Sequence, residues 1–233
     1  MKKIPTLFKR VFSPDHKTKT ILPEVTPGCE AVLEGRCIPT VKWDGACCAI
    51  INGELYKRYD AKVGKDGKQK NPPEGAIPCQ PESDPITGHW PHWVKCDPAN
   101  PADKYFFEAL ENSKGVRLCR QTLELPDGTY EAVGPSIQSN PYGMDKHYLI
   151  PHGWEPTQAI IKLMRHVASK PNDEYTGQIY GSSDKLFDKM KKYLKEKAIE
   201  GIVFWLDGQP LCKIKRSDFG FDWPVKSNKS KEE

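Results

Sequence analysis

The 233-residue sequence has no long hydrophobic run. No stretch approaches the roughly 18 consecutive apolar residues that a membrane-spanning helix needs, so a membrane partner is not expected. The N-terminal segment MKKIPTLFKRVF begins with basic residues, but Pro5, Lys9 and Arg10 interrupt it where a signal peptide would have an apolar region. We therefore expect an intracellular protein that resides in the cytoplasm and is not secreted.

The sequence also lacks a C-x-x-C pair, although it contains eight cysteines. Structural zinc sites usually draw their ligands from such pairs, so a structural zinc site is not expected. Cysteines of an intracellular protein are usually reduced. The adjacent Cys47 and Cys48 are predicted to lie on opposite faces of a strand, as small buried apolar residues.

A strong charge of one sign is absent as well. The chain has 35 Lys and Arg against 31 Asp and Glu, which gives a formal net charge of +4. This charge permits nucleic-acid binding without requiring it, and an ordinary solvated surface explains it equally well. Hydrophobic residues make up 37% of the chain and charged residues 28%, as in ordinary globular proteins. The length suits one domain or two small ones.

Strand patterns predominate after an irregular, proline-broken start of about thirty residues. The run ACCAII predicts a buried strand, and Asn52-Gly53 predicts a two-residue hairpin turn before ELYKRYDAK. Further strands are predicted in KYFFEALEN, DGTYEAVG and HYLIPHG, and a hairpin in IEGIVFWL and PLCKIKR. Helices are predicted in TQAIIKLMRHVA and from about Ser183. The sequence therefore predicts an α+β fold that is rich in antiparallel sheet.

One segment, near residues 64–104, differs in composition from its surroundings. It is rich in proline, glycine and lysine, which predicts an extended surface insertion with few strands. Its GHWPHW run has two interpretations: the tryptophans stack on nucleic-acid bases, or they fix the insertion to the core. The final KSNKSKEE is charged and without pattern. We thus predict one domain over residues 1–225 and a disordered tail over 226–233.

Lys42-Trp43-Asp44-Gly45 has the pattern K-x-D-G. A neutral lysine amine can attack the α-phosphate of ATP and expel pyrophosphate, and desolvation or nearby cations favour the neutral form of an amine. A glycine at the end of such a turn lets the backbone approach a nucleotide closely. So short a motif recurs by chance and needs its context to confirm it. The alternative is a surface lysine beside a β-turn.

Further charged residues follow in an order that suits nucleotide chemistry. Arg58 lies on the strand predicted to pair with ACCAII, within reach of a ribose or of phosphates. Glu131 is placed in mid-strand, where a carboxylate needs a partner, and Glu200 opens the EGIVF strand. Two carboxylates near phosphates indicate Mg²⁺, with Mn²⁺ able to substitute. Glu200 is the first candidate for the metal ligand and Glu131 the second, and either can instead bind ribose hydroxyls.

Lys213 and Lys215 alternate around Ile214, so the two lysines are predicted to project from the same face of a strand. Two lysines on one face repel each other unless an anion lies between them, and a triphosphate would be such an anion. Taken singly, each lysine is explained equally well as the solvent face of an amphipathic edge strand.

In sequence order, KWDG, KRYD, YEAVG, EGIVF and CKIKR resemble motifs I, Ia, III, IV and V of the covalent nucleotidyltransferases. That superfamily holds DNA ligases, RNA ligases and capping guanylyltransferases. Longer segments are similar to the stand-alone ATP-dependent 5′-to-3′ RNA ligase family known from vertebrates: KWDGACC, QTLELPDGTYEAVGPSIQSNPYG, LIPHG and IEGIVFWLDGQPLCKIKRSDFGFDWP. The similarity runs from about Pro39 to Pro224, nearly the whole chain.

The resemblance implies an ATP-grasp-like ligase adenylation domain without an OB-fold. It implies that an RNA 5′-phosphate is joined to a 3′-hydroxyl in three steps, through a lysyl-AMP and an adenylylated RNA. No obligate protein partner is expected, and RNA repair is the implied cellular role. The implied nucleotide-binding residues are Lys42 as the carrier of AMP, Asp44 and Gly45 beside it, Arg58 at the ribose, and Lys213 and Lys215 at the α-phosphate. Glu131 is implied at the ribose or the metal, and Glu200 at the metal.

Three alternatives stay open at this point. A capping-type guanylyltransferase shares the lysine chemistry but transfers GMP, and a DNA nick ligase shares the motifs. The third alternative is a catalytically idle RNA-binding module. The full motif set argues against it, because binding alone needs no nucleophilic lysine. His152 of LIPHG is expected to be a structural histidine rather than a proton shuttle.

Overall fold

A computed structural model describes residues 3–14, 19–64, 67–85, 88–114, 117–118, 121–122, 125–153 and 182–225. In this part of the chain the strands are β1 (Phe8–Phe12), β2 (Lys19–Val25), β3 (Ile38–Lys42), β4 (Ala46–Ile51), β5 (Glu54–Ala61), β6 (Ile77–Pro78), β7 (Trp90–Lys95), β8 (Arg117–Leu118), β9 (Gln121–Thr122), β10 (Gly128–Val133), β11 (Tyr148–Pro151), β12 (Gly201–Leu206) and β13 (Gln209–Lys215). The α-helices there are α1 (Lys104–Ser113) and α2 (Ser183–Glu196), and short 3-10 helices span Glu30–Val32, Pro101–Asp103 and Arg216–Phe219.

The chain divides into two compact units. The first unit comprises Met1–Lys3 and Asp44–His152, and the second comprises Ile4–Trp43 and Gly153–Glu233. The assignment of residues 1–225 to one functional domain remains a prediction.

The first unit is built on a six-stranded antiparallel sheet in the order β11-β10-β4-β5-β7-β6. The predicted hairpin turn between β4 and β5 is confirmed, with φ of 53° at Asn52 and 74° at Gly53. The carboxylate of Asp127 accepts hydrogen bonds from both of their backbone N–H groups, at 2.6 and 3.0 Å. Buried side chains of the sheet, among them Tyr130 and Leu149, form the core of this unit.

Strand β7 carries the WPHW part of the GHWPHW run. It pairs with β5 along all of its residues, from Trp90 to Lys95, and Trp93 is only 7% exposed. The Trp90 indole donates a hydrogen bond to the Gln80 carbonyl at 2.9 Å. The run is therefore an integral strand of the sheet and not part of an extended surface segment. Of the two interpretations of its tryptophans, these contacts favour attachment to the core.

Helix α1 corrects the strand prediction for KYFFEALEN. Asn100 accepts a hydrogen bond from the backbone N–H of Ala102 at 3.0 Å, and Pro101 follows it, so a capped helical turn leads directly into α1. Ala109 and Ser113 lie one turn apart on the buried side of the helix. Local capping and burial of this face outweigh the strand preference of the aromatic residues.

The second unit contains the three-stranded antiparallel sheet β13-β12-β3 and the antiparallel pair β1–β2. The β1–β2 pair corrects the prediction of an irregular start. The predicted β12–β13 hairpin is confirmed, with φ of 50° at Asp207 and 73° at Gly208 in its turn. The predicted helix from Ser183 is confirmed as α2, whose Leu186, Met190 and Leu194 are fully buried.

The strand pairs of the described residues are antiparallel, and two α-helices accompany them there. This confirms the prediction of a sheet-rich α+β fold. Neither of these helices is long and apolar enough to cross a membrane. The helix predicted in TQAIIKLMRHVA and the tail predicted at 226–233 lie outside the described residues.

Candidate active site

In the second unit, Lys42 and Lys215 lie on either side of the start of β12. Gly201 pairs with Lys42 of β3 and with Lys215 of β13, so the preceding Glu200 is next to both lysines. One carboxylate oxygen of Glu200 forms an ion pair with Lys42 Nζ, and the other lies 3.7 Å from Lys215 Nζ. Glu200 is 8% exposed, so this carboxylate is buried in contact with two ammonium groups.

Lys213 belongs to the same group of charges. Burial lowers its pKa from 10.5 to about 8, and the positive charges of Lys42, Lys215 and Arg10 act in the same direction, while Glu200 opposes them. Ile214 is fully buried, whereas Lys213 and Lys215 are half-buried, so the two lysines share one face of β13 as expected. The fold therefore holds several like charges close together at a cost in electrostatic repulsion.

Arg10 of β1 was missed by the sequence analysis. Its guanidinium donates a hydrogen bond to Asp218 Oδ1 at 2.7 Å, and Asp218 Oδ2 accepts from the backbone N–H of Lys215 at 2.9 Å. Arg10 Nε is buried and has no hydrogen-bond partner among the described residues. The short FKRVF run offered only a weak strand signal, and the contact with Asp218 joins residues 208 positions apart.

These residues give the second unit a concentrated positive charge. Four cationic side chains accompany two carboxylates: Lys42, Lys213, Lys215 and Arg10, with Glu200 and Asp218. This excess of positive charge is partly removed from water, so it favours the binding of a multiply charged anion such as a polyphosphate.

In the first unit, Gly45 lies directly against β10. Its backbone N–H donates to Glu131 Oε1 at 3.0 Å, and a Cβ added at Gly45 would lie 2.2 Å from the carbonyl oxygen of Ala132. Only glycine fits this close approach. The preceding Asp44 N–H donates to the Tyr142 hydroxyl at 2.6 Å. The last two residues of the K-x-D-G motif are therefore held in this unit by hydrogen bonds from their backbone N–H groups to the side chains of Tyr142 and Glu131.

Glu131 has a second partner, which satisfies the expectation for a carboxylate in mid-strand. His152 Nε2 lies 2.9 Å from Glu131 Oε2, and His152 Nδ1 lies 3.0 Å from Thr129 Oγ1. Cys47 is opposite Glu131 in the β4–β10 register. Burial and the charge of Glu131 raise the pKa of the Cys47 thiol to about 12, and nearby Arg58 opposes that rise.

Arg58 of β5 is bound to its own strand. Its Nε and one terminal nitrogen each donate to Asp60 Oδ1 at 3.1 Å, so the guanidinium charge is balanced within the unit. The structure thus groups Lys42, Glu200, Lys213 and Lys215 in the second unit, and it groups Asp44, Gly45, Arg58 and Glu131 in the first.

Comparison with known proteins adds an independent line of information. No family model matches the chain. The chain is similar to RNA ligase 1 of Pongo abelii, at 26% identity over 242 residues, which covers 81% of this chain and 69% of that protein. RNA ligase 1 of Danio rerio is 27% identical over 243 residues, with 80% and 68% covered, and the Mus musculus protein is 24% identical over 242 residues, with 81% and 68% covered. The resemblance to the RNA ligase-like family is confirmed.

The donor atoms around the two candidate metal ligands differ in kind. Glu200 offers carboxylate oxygens among cationic groups suited to phosphate, which fits Mg²⁺ held jointly by a carboxylate and phosphate oxygens. The donors around Glu131 are a thiol and an imidazole, and those suit Mg²⁺ poorly.

Proposed function

We propose that this chain is an ATP-dependent RNA ligase that joins an RNA 5′-phosphate to a 3′-hydroxyl, with Lys42 as the nucleophile. The observation that carries the proposal is the contact of Lys42 with the buried Glu200 in a group of side chains that includes Lys213 and Lys215. The similarity to vertebrate proteins named RNA ligase 1 supports RNA as the substrate. The proposal includes an adenylation domain of the covalent nucleotidyltransferase type.

The first step forms the lysyl-adenylate. The ammonium of Lys42 first gives up a proton to solvent, and the neutral Nζ attacks the α-phosphorus of ATP. A P–N bond forms, the bond to the β-phosphate oxygen breaks, pyrophosphate leaves, and the nitrogen loses a second proton. Glu200 is the carboxylate in contact with Nζ and holds the side chain at the end of β3. Lys213 and Lys215 stabilise the negative charge that develops on the α-phosphate.

The second step transfers AMP from Lys42 to the RNA. An oxygen of the RNA 5′-phosphate attacks the phosphorus of the lysyl-adenylate, the P–N bond breaks, and a pyrophosphate linkage between AMP and the RNA end forms. In the third step the 3′-hydroxyl attacks the RNA phosphate, and AMP leaves. The cations of the second unit suit each step, because the reacting phosphates are anions throughout. Pyrophosphate and AMP leave as anions in the first and third steps, whereas in the second step Nζ of Lys42 takes up a proton and leaves as an amine.

The remaining residues keep the roles that the resemblance implies. Arg58 contacts the ribose, Glu131 contacts the ribose or a metal, and Asp44 and Gly45 form part of the nucleotide site. Glu200 would hold Mg²⁺, or Mn²⁺ in its place. When bound, the ion neutralises charge on the phosphates and on the departing pyrophosphate. RNA repair is the proposed cellular role.

Label transfer tests the first step. The protein is incubated with Mg²⁺ and ATP labelled at the α-phosphate, and covalent label is measured on a denaturing gel. Wild type is expected to retain the label and Lys42→Ala to lose it. Lys9→Ala is the matched control, because Lys9 is another strand lysine paired with a glutamate, at 2.5 Å from Glu24, but is exposed. Equal labelling of Lys42→Ala and wild type would refute the assignment of the nucleophile.

Substrate comparison tests the later steps. Strands with a 5′-phosphate and a 3′-hydroxyl are supplied as RNA or as nicked DNA, and sealing is measured as gain in length. RNA is expected to be sealed faster. Preferential sealing of nicked DNA would identify a DNA ligase instead. Label taken only from GTP would identify a capping-type guanylyltransferase. Absence of label from either nucleotide would favour the catalytically idle RNA-binding module.

A further inference from the structure

Three metal-binding side chains of different kinds meet in the first unit. The potential ligand atoms of Cys47, Glu131 and His152 all lie within 4.8 Å of one another, and all three residues are partly buried. We propose that Cys47, Glu131 and His152 form a binding site for a borderline-soft divalent metal ion such as Zn²⁺. This site is separate in chemistry from the Mg²⁺ proposed at Glu200.

The spacing of the three ligand atoms suits a tetrahedral ion. Zinc lies about 2.3 Å from sulfur and about 2.0–2.2 Å from nitrogen or oxygen, so ligand atoms of a tetrahedral site are about 3.4–3.6 Å apart. His152 Nε2 and Glu131 Oε2 are now 2.9 Å apart, and they need to separate by only a few tenths of an ångström. Cys47 is opposite Glu131 in the β4–β10 register, and the backbone therefore already places the sulfur beside the carboxylate.

Neighbouring groups orient two of the ligands. The contact of His152 Nδ1 with Thr129 Oγ1 at 3.0 Å directs Nε2 toward Glu131. The backbone N–H of Gly45 holds Glu131 Oε1 at 3.0 Å, which leaves Oε2 directed at the histidine. Hydrogen bonds of this kind commonly fix the orientation of metal ligands and raise their affinity.

Charge and softness decide the kind of ion. A thiolate, a carboxylate and a neutral imidazole together carry a charge of −2, which a divalent cation neutralises. Arg58 also reaches the Cys47 sulfur by a hydrogen bond, and Asp60, which accepts two hydrogen bonds from Arg58 at 3.1 Å, offsets its charge. Sulfur and nitrogen ligands favour Zn²⁺ or Co²⁺ over Mg²⁺. A bound ion also deprotonates the thiol outright, so the thiol need not be ionised beforehand.

Occupation of this site would regulate ligation, a consequence that rests on the proposed function. An ion bound to Glu131 withholds that carboxylate from the ribose. Micromolar Zn²⁺ is therefore expected to slow label transfer from ATP to Lys42, and a chelator is expected to restore it.

Cobalt binding tests the site without reference to activity. The metal-free protein is titrated with Co²⁺, whose bond to a thiolate gives a charge-transfer band in the near ultraviolet, and Zn²⁺ is then added as a competitor. The test variants are Cys47→Ser, Glu131→Gln and His152→Gln. Cys79→Ser and His89→Gln are matched controls in the same unit, since Cys79 is a partly buried free cysteine and the His89 side chain is 37% exposed.

One equivalent of Co²⁺ is expected to give the band in wild type and in both controls, and Zn²⁺ is expected to remove it. The band is expected to disappear in Cys47→Ser, and Thr129→Val, which removes the hydroxyl that orients His152, is expected to weaken binding about tenfold. Absence of a stoichiometric band in wild type, or its persistence in Cys47→Ser, would overturn the proposal. A wild type that binds Co²⁺ but never accepts label from ATP would refute the proposed ligase and leave the metal site standing.

Discussion

Lys213 is the residue at which the proposed function and stability are most directly opposed. Its ammonium is half-buried, and desolvation together with the charges of Lys42, Lys215 and Arg10 lowers its pKa to about 8. We predict that Lys213→Met, which keeps the aliphatic length and removes the charge, stabilises the protein at pH 7. The same variant is expected to lose at least tenfold in the rate of label transfer, because a cation at the α-phosphate is gone.

The magnitude of the stabilisation follows from the pKa. The fall from 10.5 to about 8 corresponds to roughly 3 kcal/mol, at about 1.4 kcal/mol for each tenfold change in proton affinity. Solvent screening of the exposed part of the side chain reduces this to about 2 kcal/mol. Between pH 8 and 10.5 the unfolded state binds more protons at Lys213 than the folded state does, so this contribution to stability rises with pH. Below pH 8 both states are protonated, and the full cost is present.

Urea unfolding at pH 7 and pH 9, followed by circular dichroism, measures this contribution. The buried thiols of Cys37, Cys47 and Cys96 have raised pKa values, which makes stability fall with rising pH in both proteins. Because the thiols contribute equally in both proteins, this fall cancels when the free energies of unfolding of wild type and variant are subtracted. At pH 7 the free energy of unfolding of Lys213→Met is expected to exceed that of wild type by about 2 kcal/mol. At pH 9 this difference is expected to be about 1 kcal/mol smaller. An advantage that is absent at pH 7, or that grows with pH, would refute the electrostatic reasoning.

Two further substitutions test local contacts in the first unit. Gly45→Ala brings a Cβ to 2.2 Å from a carbonyl oxygen of β10 and is expected to lower the free energy of unfolding by about 1–3 kcal/mol, measured by thermal unfolding. The control Gly128→Ala, whose added Cβ meets nothing nearer than 3.9 Å, is expected to be neutral or stabilising. Equal melting temperatures of the two variants would contradict the close approach at Gly45. Asp103→Ala removes the buried partner of Lys57 and is expected to lower the free energy of unfolding in urea by about 2 kcal/mol. Glu111→Ala, which breaks the exposed pair with Lys114, is expected to lower it by under about 0.5 kcal/mol. Similar losses in both variants would show that burial does not decide the strength of these pairs.

Elements with a strong local signal were predicted correctly from the sequence. The turns at Asn52-Gly53 and Asp207-Gly208 require positive φ, which their residue types tolerate, and the flanking runs are apolar enough to form strands. The stripe of Leu186, Met190 and Leu194 is periodic over more than two turns. In these segments, local preference and tertiary burial favour the same structure.

Elements that depend on distant partners were missed. Strand β1 pairs with the nearby β2, but the residue before it, Leu7, donates a backbone hydrogen bond to Lys213 at 2.7 Å, and no short window of sequence shows that distant contact. KYFFEALEN has aromatic residues typical of strands, yet Asn100 caps the turn that precedes it and Ser113 is buried at the far end. The GHWPHW run contains a proline inside β7, which lowers the strand signal in a segment that pairs fully with β5.

The candidate site was predicted residue by residue but not as a set of contacts. Glu131 was singled out because a carboxylate in mid-strand needs a partner, but its partner His152 follows only from the β10–β11 pairing. Likewise, Cys47 and Glu131 are 84 residues apart in the numbering, and only the β4–β10 register places them opposite each other. Sequence patterns specify which side chains leave a strand on one face, whereas contacts between strands depend on a register that the whole sheet determines.

That dependence on register connects core packing to the proposed chemistry in the second unit. Gly201 pairs with Lys42 on one side and with Lys215 on the other, so a single position of β12 aligns the proposed nucleophile with the lysines of β13. A slip of β13 by one residue would turn Lys213 and Lys215 toward the core and Ile214 toward solvent. Burial of Ile214, which is fully removed from solvent, contributes about 1.5–3 kcal/mol against that slip. The apolar residue between the two lysines therefore holds them on the face where Glu200 and Lys42 meet, and a polar substitution at Ile214 is expected to impair label transfer without altering any charged group.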